Sequence, residues 1–204
     1  MKVLLINGSP HKEGNTFIAL TEVAKAIEAD GIETEIFHIG NHPVQGCIGC
    51  YKCKETGVCV FRDELYTSLR EKAAAADGII IGSPVYYAGP AGSLCAILDR
   101  LFYSSGHLLR YKPAASVAVC RRGGAVAAFD RLNKYFTILS MPVVSSQYWN
   151  VVFGRDPGEA DRDAEGLQTM RTLGRNMAWM LKALRDSGLP HPTPEPITPT
   201  NFIR

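Results

Sequence analysis

The sequence predicts an α/β fold, a doubly wound five-stranded parallel sheet with helices on both faces. Two observations carry this. Short apolar runs bounded by turn residues recur along the chain, as expected for strands buried on both faces. Between them lie stretches with apolar residues at helical spacing, and regular alternation of the two implies right-handed βαβ crossovers.

The first run, Val3 to Ile6, ends in Asn7 and the loop Gly8-Ser9-Pro10-His11-Lys12-Glu13-Gly14-Asn15-Thr16. Leu20, Val23, Ala24 and Ile27 then recur as one helix face, and Gly31 stops the helix. Thr34 to Ile39 alternates as a second strand. Gly78 to Pro84 is a third, Ala115 to Cys120 a fourth, and Pro142 to Ser145, extendable to Val152, the fifth. Helices are expected at 63–76, 91–102, 125–139 and about 166–187. Residues 1–188 read as one domain with a cysteine-rich insertion at 41–62, and 189–204 as a proline-rich extended tail. The tail's end, Thr200 to Arg204, reads equally as a docking element for the body or a second subunit and as a loose terminus.

Composition narrows the function. With 204 residues, 46% apolar and 21% charged, the chain can bury a full core. A net charge of +2 argues against a nucleic-acid partner or an acidic membrane surface. No run of 18 apolar residues exists, and the first strand leaves no room for a signal peptide, so a cytoplasmic location is expected. Six cysteines in such a chain suit metal binding, redox chemistry or burial better than disulfides.

The first loop joins a buried strand to a helix N-terminus, where free backbone N–H groups and the helix dipole favour a phosphate. Ser9 and Thr16 add hydroxyls, Asn15 is a good N-cap, and Gly8 and Gly14 permit close approach of backbone to an oxyanion. Neither the Walker nor the Gly-x-Gly-x-x-Gly pattern is present, so a phosphate monoester fits best. Here the sequence resembles the FMN-phosphate loop of the flavodoxin-like NAD(P)H-dependent FMN reductases, a superfamily that includes the iron–sulfur flavoproteins. The resemblance implies a flavodoxin-like strand order, with ligand beyond the carboxyl ends of the strands. On the first loop it assigns Ser9, Pro10, Lys12, Gly14, Asn15 and Thr16 to FMN binding.

Ser83-Pro84-Val85-Tyr86-Tyr87-Ala88-Gly89 follows the third strand and resembles the family's Ser-Pro-Val-Tyr loop, which implies that Pro84, Val85, Tyr86 and Tyr87 border the isoalloxazine. Arg121-Arg122-Gly123-Gly124 follows the fourth strand in the equivalent place. The resemblance puts Arg122, Gly123 and Gly124 near the flavin's pyrimidine end, although Arg122 could equally meet the phosphates of NAD(P)H. Cys47, Cys50, Cys53 and Cys59, spaced C-x2-C-x2-C-x5-C, can converge on one centre. They resemble the compact motif that holds a [4Fe–4S] cluster in the iron–sulfur flavoproteins. Plain FMN reductases carry similar stretches apparently without a cluster, so a cluster, zinc and free thiols all stand as alternatives. Cys95 and Cys120 read as small buried hydrophobes, Asp99-Arg100 and Asp130-Arg131 as helix-surface charge pairs, and Trp149 as a pocket wall or packing residue.

The resemblance implies an NAD(P)H-dependent, FMN-containing oxidoreductase with a flavin, quinone or similar acceptor, and no side chain acting as a catalytic acid or base. The alternative is an electron-transfer protein that links a ferredoxin-type donor, a cluster and FMN. Relatives are oligomers, so a homodimer or homotetramer is expected.

Overall fold

A computed structural model describes residues 1–200 and Phe202. The sheet runs β2-β1-β3-β5-β6, built from β1 (Lys2–Asn7), β2 (Glu33–His38), β3 (Gly78–Tyr86), β5 (Ala114–Cys120) and β6 (Val151–Phe153), all parallel. The two-residue β4 (Gly89–Pro90) turns back antiparallel on β3, making six strands where five were expected. Among the five parallel strands the order is the flavodoxin-like one, 2-1-3-4-5 counted without the hairpin arm.

The apolar runs form central strands because both faces are covered. On β1, Val3 and Leu5 pack on one side against α1 (Asn15–Ala29) and α6 (Ala164–Ser187). Leu4 and Ile6 pack on the other against α3 (Glu64–Ala75), α4 (Gly92–Ser105) and α5 (Ala125–Thr137). The period-2 alternation of strand side chains thus divides one run between two cores. On the first side α1 and α6 pack so closely that a Cβ added at Gly174 would stand 2.6 Å from the Val23 carbonyl oxygen.

The fifth parallel strand is displaced from its expected place. Pro142 to Ser145 contributes only an isolated bridge, Val143 to Ala114. The chain then leaves the sheet, and Val151–Phe153 pairs with Ala118–Cys120. The apolar run at 142–145 is explained by Val144, which is buried against the α1/α6 core without being a ladder strand.

Tail residues 189–200 are exposed. They touch the body where Tyr111 donates to the Pro192 carbonyl at 3.0 Å and stacks on His191 with ring centroids 4.9 Å apart. Of the tail's end, read equally as docking or loose, Phe202 is exposed, and Asn201, Ile203 and Arg204 lie outside the described residues. Among the described residues no helix is long and apolar enough to cross a membrane.

Candidate active site

The three loops singled out in the sequence follow β1, β3 and β5, which are neighbours at the centre of the sheet, so their turns share one edge. The first is fixed from within. Asn7 is fully buried; its Oδ1 accepts from Ser9 N at 3.0 Å and its Nδ2 donates to the Lys12 carbonyl at 3.1 Å. Ser9 Oγ accepts from His11 N at 3.1 Å, and His38 Nε2 lies 2.8 Å from the Ser9 carbonyl. Gly8 N donates to Gly82 O at 2.8 Å, and a Cβ at Gly8 would come within 2.5 Å of Leu94, so only glycine fits that crossing.

The first α1 backbone bond is from Ile18 N to Gly14 O. The N–H groups of Asn15, Thr16 and Phe17 therefore have no partner among the described residues, and Thr16 is buried beside them. Orphan donors at a helix N-terminus form an anion site. Asn15 is not the N-cap, as expected from sequence; Gly14 takes that position in extended conformation. The Asn15 side chain instead donates to Asp156 O at 3.0 Å and accepts from Ala160 N at 3.2 Å, tying the loop to the segment after β6. Ser9, Gly14 and Thr16 line this turn, while Lys12 is exposed and Pro10 half-buried.

The second loop is a tight hairpin turn, with Val85 opposite Pro90 and Tyr86 opposite Gly89. Tyr87 and Ala88 occupy it with φ of 49° and 58°, two consecutive left-handed non-glycine residues, as a type I′ turn demands. Such conformations cost energy and are kept where the position of the turn matters. Tyr86 and Tyr87 are exposed at the tip. Ser83 is buried, accepts from Ala91 N at 2.9 Å and donates to the Pro84 carbonyl, so it braces the connection.

The third loop packs against the second. Gly124 has φ +86°, and a Cβ there would stand 2.8 Å from Ala88 Cα and 3.2 Å from Val85 Cγ1. Arg122 and Gly123 are exposed beside it. Arg122 and Gly124 also border a cavity of about 470 Å³ walled by Tyr148, Trp149 and Phe153 and closed by the start of α6.

The cysteine segment lies on α4, with a short helix, α2 (Cys53–Thr56), inside it. All four of its cysteines line one small cavity together with Arg100, Tyr103 and Ser104 of α4. All four are free thiols, Cys47 and Cys50 exposed, Cys53 and Cys59 half-buried. Burial first, and then the neighbouring Cys47, Cys50 and Cys59 thiols, raise the pKa of Cys53. As placed, no group of three or more His, Cys, Asp or Glu among the described residues stands in metal-ligating geometry. The donor set still suits a thiolate-ligated centre, since four free thiols line one cavity.

Arg100 is not a surface residue. Its side chain is 0% exposed and pairs with Asp63, while Asp99 meets Tyr135 and Arg131. Burial opposes its charge, but Asp63, and after it the Cys59 thiol, leave its pKa above the usual value. Cys120 is buried and Cys95 partly so, and burial raises the pKa of both, consistent with small packing groups. Sequence reasoning missed Asn7 and His38 as braces of the first loop. An asparagine ending a buried strand was the available signal for Asn7.

The model of the NADPH-dependent FMN reductases matches residues 1–156. The chain belongs to this family. Within it the resemblance is to the iron–sulfur flavoproteins. One from Methanocaldococcus jannaschii is 38% identical over 193 residues, covering 91% of this chain and 100% of the relative. That from Methanosarcina thermophila is 28% identical over 191 residues, covering 91% and 97%. Among solved structures, RosB with a bound riboflavin-phosphate intermediate superposes with a TM-score of 0.70 at 19% identity, covering 100% of this chain and 94% of that one. An archaeal flavodoxin gives 0.60 at 15%, covering 89% and 99%. These two show the flavodoxin-like fold. As a member of this family the chain is an NAD(P)H-dependent, FMN-containing oxidoreductase.

Proposed function

We propose that this family member takes electrons from NAD(P)H and delivers them to a flavin, quinone or similar small acceptor, with FMN held at the tips of β1, β3 and β5. One observation carries the site: unpaired N–H groups at the start of α1 share the sheet edge with the turns of β3 and β5. The α1 N–H groups, with Ser9 and Thr16 hydroxyls, suit a dianionic phosphate. The Tyr86-Tyr87 turn and Gly124 bound the flat ring. Arg122 offers positive charge where reduction would build negative charge. The cavity walled by Tyr148 and Trp149 receives the molecule that exchanges electrons. When bound, FMN accepts a hydride and releases electrons singly or in pairs, so the chain need only bind, orient and limit access.

A second reading is favoured by the four thiols on one cavity. In it Cys47, Cys50, Cys53 and Cys59 would hold a [4Fe–4S] cluster, which supplies one-electron transfer and lets a ferredoxin-type protein serve as donor. The likeness to iron–sulfur flavoproteins supports it. One experiment tests both readings: an anaerobic absorption spectrum with iron and sulfide assays, followed by steady-state oxidation of NADH and NADPH set against reduction by a ferredoxin. Four irons per chain and fast ferredoxin-driven reduction favour the second reading. Yellow, iron-free protein that oxidises NAD(P)H favours the first, and a colourless chain that takes up no added FMN overturns both.

A further inference from the structure

Arg100 is the sole charged residue in the buried set among the described residues. Its contacts bracket the cysteine segment. Nη1 donates to the Gln45 carbonyl at 3.2 Å, two residues before Cys47. Nη2 donates to the Phe61 carbonyl at 2.5 Å and to the Asp63 carboxylate, just beyond Cys59. The guanidinium also lies 4.9 Å from the Tyr66 ring centroid and 5.7 Å from that of Phe61. One cation on α4 thus closes both ends of the loop that carries all four thiols.

The Nε–H is left over. It is buried and has no hydrogen-bond partner, one of two such side-chain atoms among the described residues. A buried, charged donor left unpaired is costly, and each one calls for an explanation. Arg100 lines the small cavity that the four cysteines share. A cluster bound by four thiolates brings net negative charge and sulfur acceptors to that cavity, and hydrogen bonds to sulfur together with local charge set the reduction potential of such centres.

We propose that Arg100 is a positioning residue for the four-cysteine centre: it clamps the ends of the cysteine segment and gives its Nε–H to a sulfur of the bound cluster. This rests on the reading that Cys47, Cys50, Cys53 and Cys59 hold an iron–sulfur cluster. Adding one electron makes the cluster more negative, so a neighbouring N–H donor and cation favour the reduced form. Loss of both lowers the midpoint potential.

The full chain is reconstituted anaerobically with iron and sulfide, as wild type, Arg100→Lys and Arg100→Gln. Iron is counted, and the cluster is titrated with dithionite while its electron paramagnetic resonance signal is followed. In Arg100→Gln the reduced-to-oxidised ratio at a fixed potential is expected to fall about tenfold, a drop of about 59 mV for one electron. Arg100→Lys, which keeps charge but not the planar fork, recovers part of it. A loop-shaping role alone would change iron loading and leave the potential of loaded protein unmoved. Wild-type protein carrying 15N-labelled arginine gives an independent readout, because a hydrogen bond from Nε predicts a hyperfine coupling to the reduced cluster. Iron-loaded variants whose ratio stays within twofold of wild type, or a labelled wild type with no 15N coupling, overturn the proposal and leave the cluster reading standing. Wild-type protein that takes up no iron overturns both.

Discussion

Gly124→Ala probes, with a single methyl group, the junction of two of the loops proposed to hold FMN. The position has φ +86°, and the new Cβ would sit 2.8 Å from Ala88 Cα and 3.0 Å from Ala88 Cβ. Holding a non-glycine residue in the left-handed region costs about 1–2 kcal/mol. Relieving the overlap costs about 1–3 kcal/mol more, because the Cα of Ala88 moves only if the turn moves. That turn already holds Tyr87 and Ala88 at positive φ, so it has little room to yield. The total is about 2–5 kcal/mol, and for a chain of this size each kcal/mol lowers Tm by about 2–4 °C. Thermal unfolding of the apo protein should therefore fall by about 4–20 °C. Displacing the Tyr86-Tyr87 turn should also weaken FMN by roughly tenfold or more, or about 1.4 kcal/mol, read by quenching of FMN fluorescence. If stability stays within about 0.5 kcal/mol, the scale of an ordinary surface change, and FMN affinity within twofold, the close packing of the two loops is refuted.

Three further outcomes are expected. Thr16→Val keeps the volume of a buried side chain but removes its hydroxyl, so apo stability should hold while FMN weakens roughly 10- to 100-fold, the range for one bond to a charged group; a titration in which FMN affinity does not change would count against the phosphate loop. Burial works against ionisation of Asp63, yet Arg100 and the Tyr66 N–H hold its carboxyl below its ordinary range. Its folded pKa is thus depressed, so its stabilising contribution is present above about pH 4 and lost as pH falls through the folded value. Asp63→Asn should therefore lower Tm at pH 7, with the gap to wild type narrowing as pH falls below about 4; a gap independent of pH would contradict the pairing. Removing residues 190–204 should leave Tm within about 1 °C and FMN affinity within twofold, because exposed termini carry little stability; a larger loss in Tm would show that the tail docks.

Much of the fold was legible because each central strand is an unbroken apolar run split between two cores, and Val3 to Ile6 shows how. The three loops on one edge of the sheet were legible because glycine, proline and hydroxyl residues punctuate the carboxyl ends of those runs. The fifth strand was not. Val143, Val144, Val151 and Val152 are equally apolar, and which of them joins the ladder is decided by hydrogen bonds that form after the chain leaves the sheet at Ser146 and returns. Asn15 misled for a similar reason: an asparagine before a helix suits a cap, but here a segment 141 and 145 residues later claims its side chain. Arg100 sits next to Asp99 in sequence, and only the packed helix reveals that the two side chains point to different partners. That the four thiols lie close enough to line one cavity could be read from spacing, whereas the arginine that closes their loop could not.

On the proposed function, the start of α1 anchors the phosphate of a flavin mononucleotide. The direct measurement is calorimetric titration of the apo protein with FMN and with riboflavin, which differ by that phosphate alone. FMN should bind at least about a hundredfold more tightly, on the order of 2.8 kcal/mol from charge-assisted bonds to the unpaired N–H groups. Equal affinities, or no heat with either ligand, would contradict it.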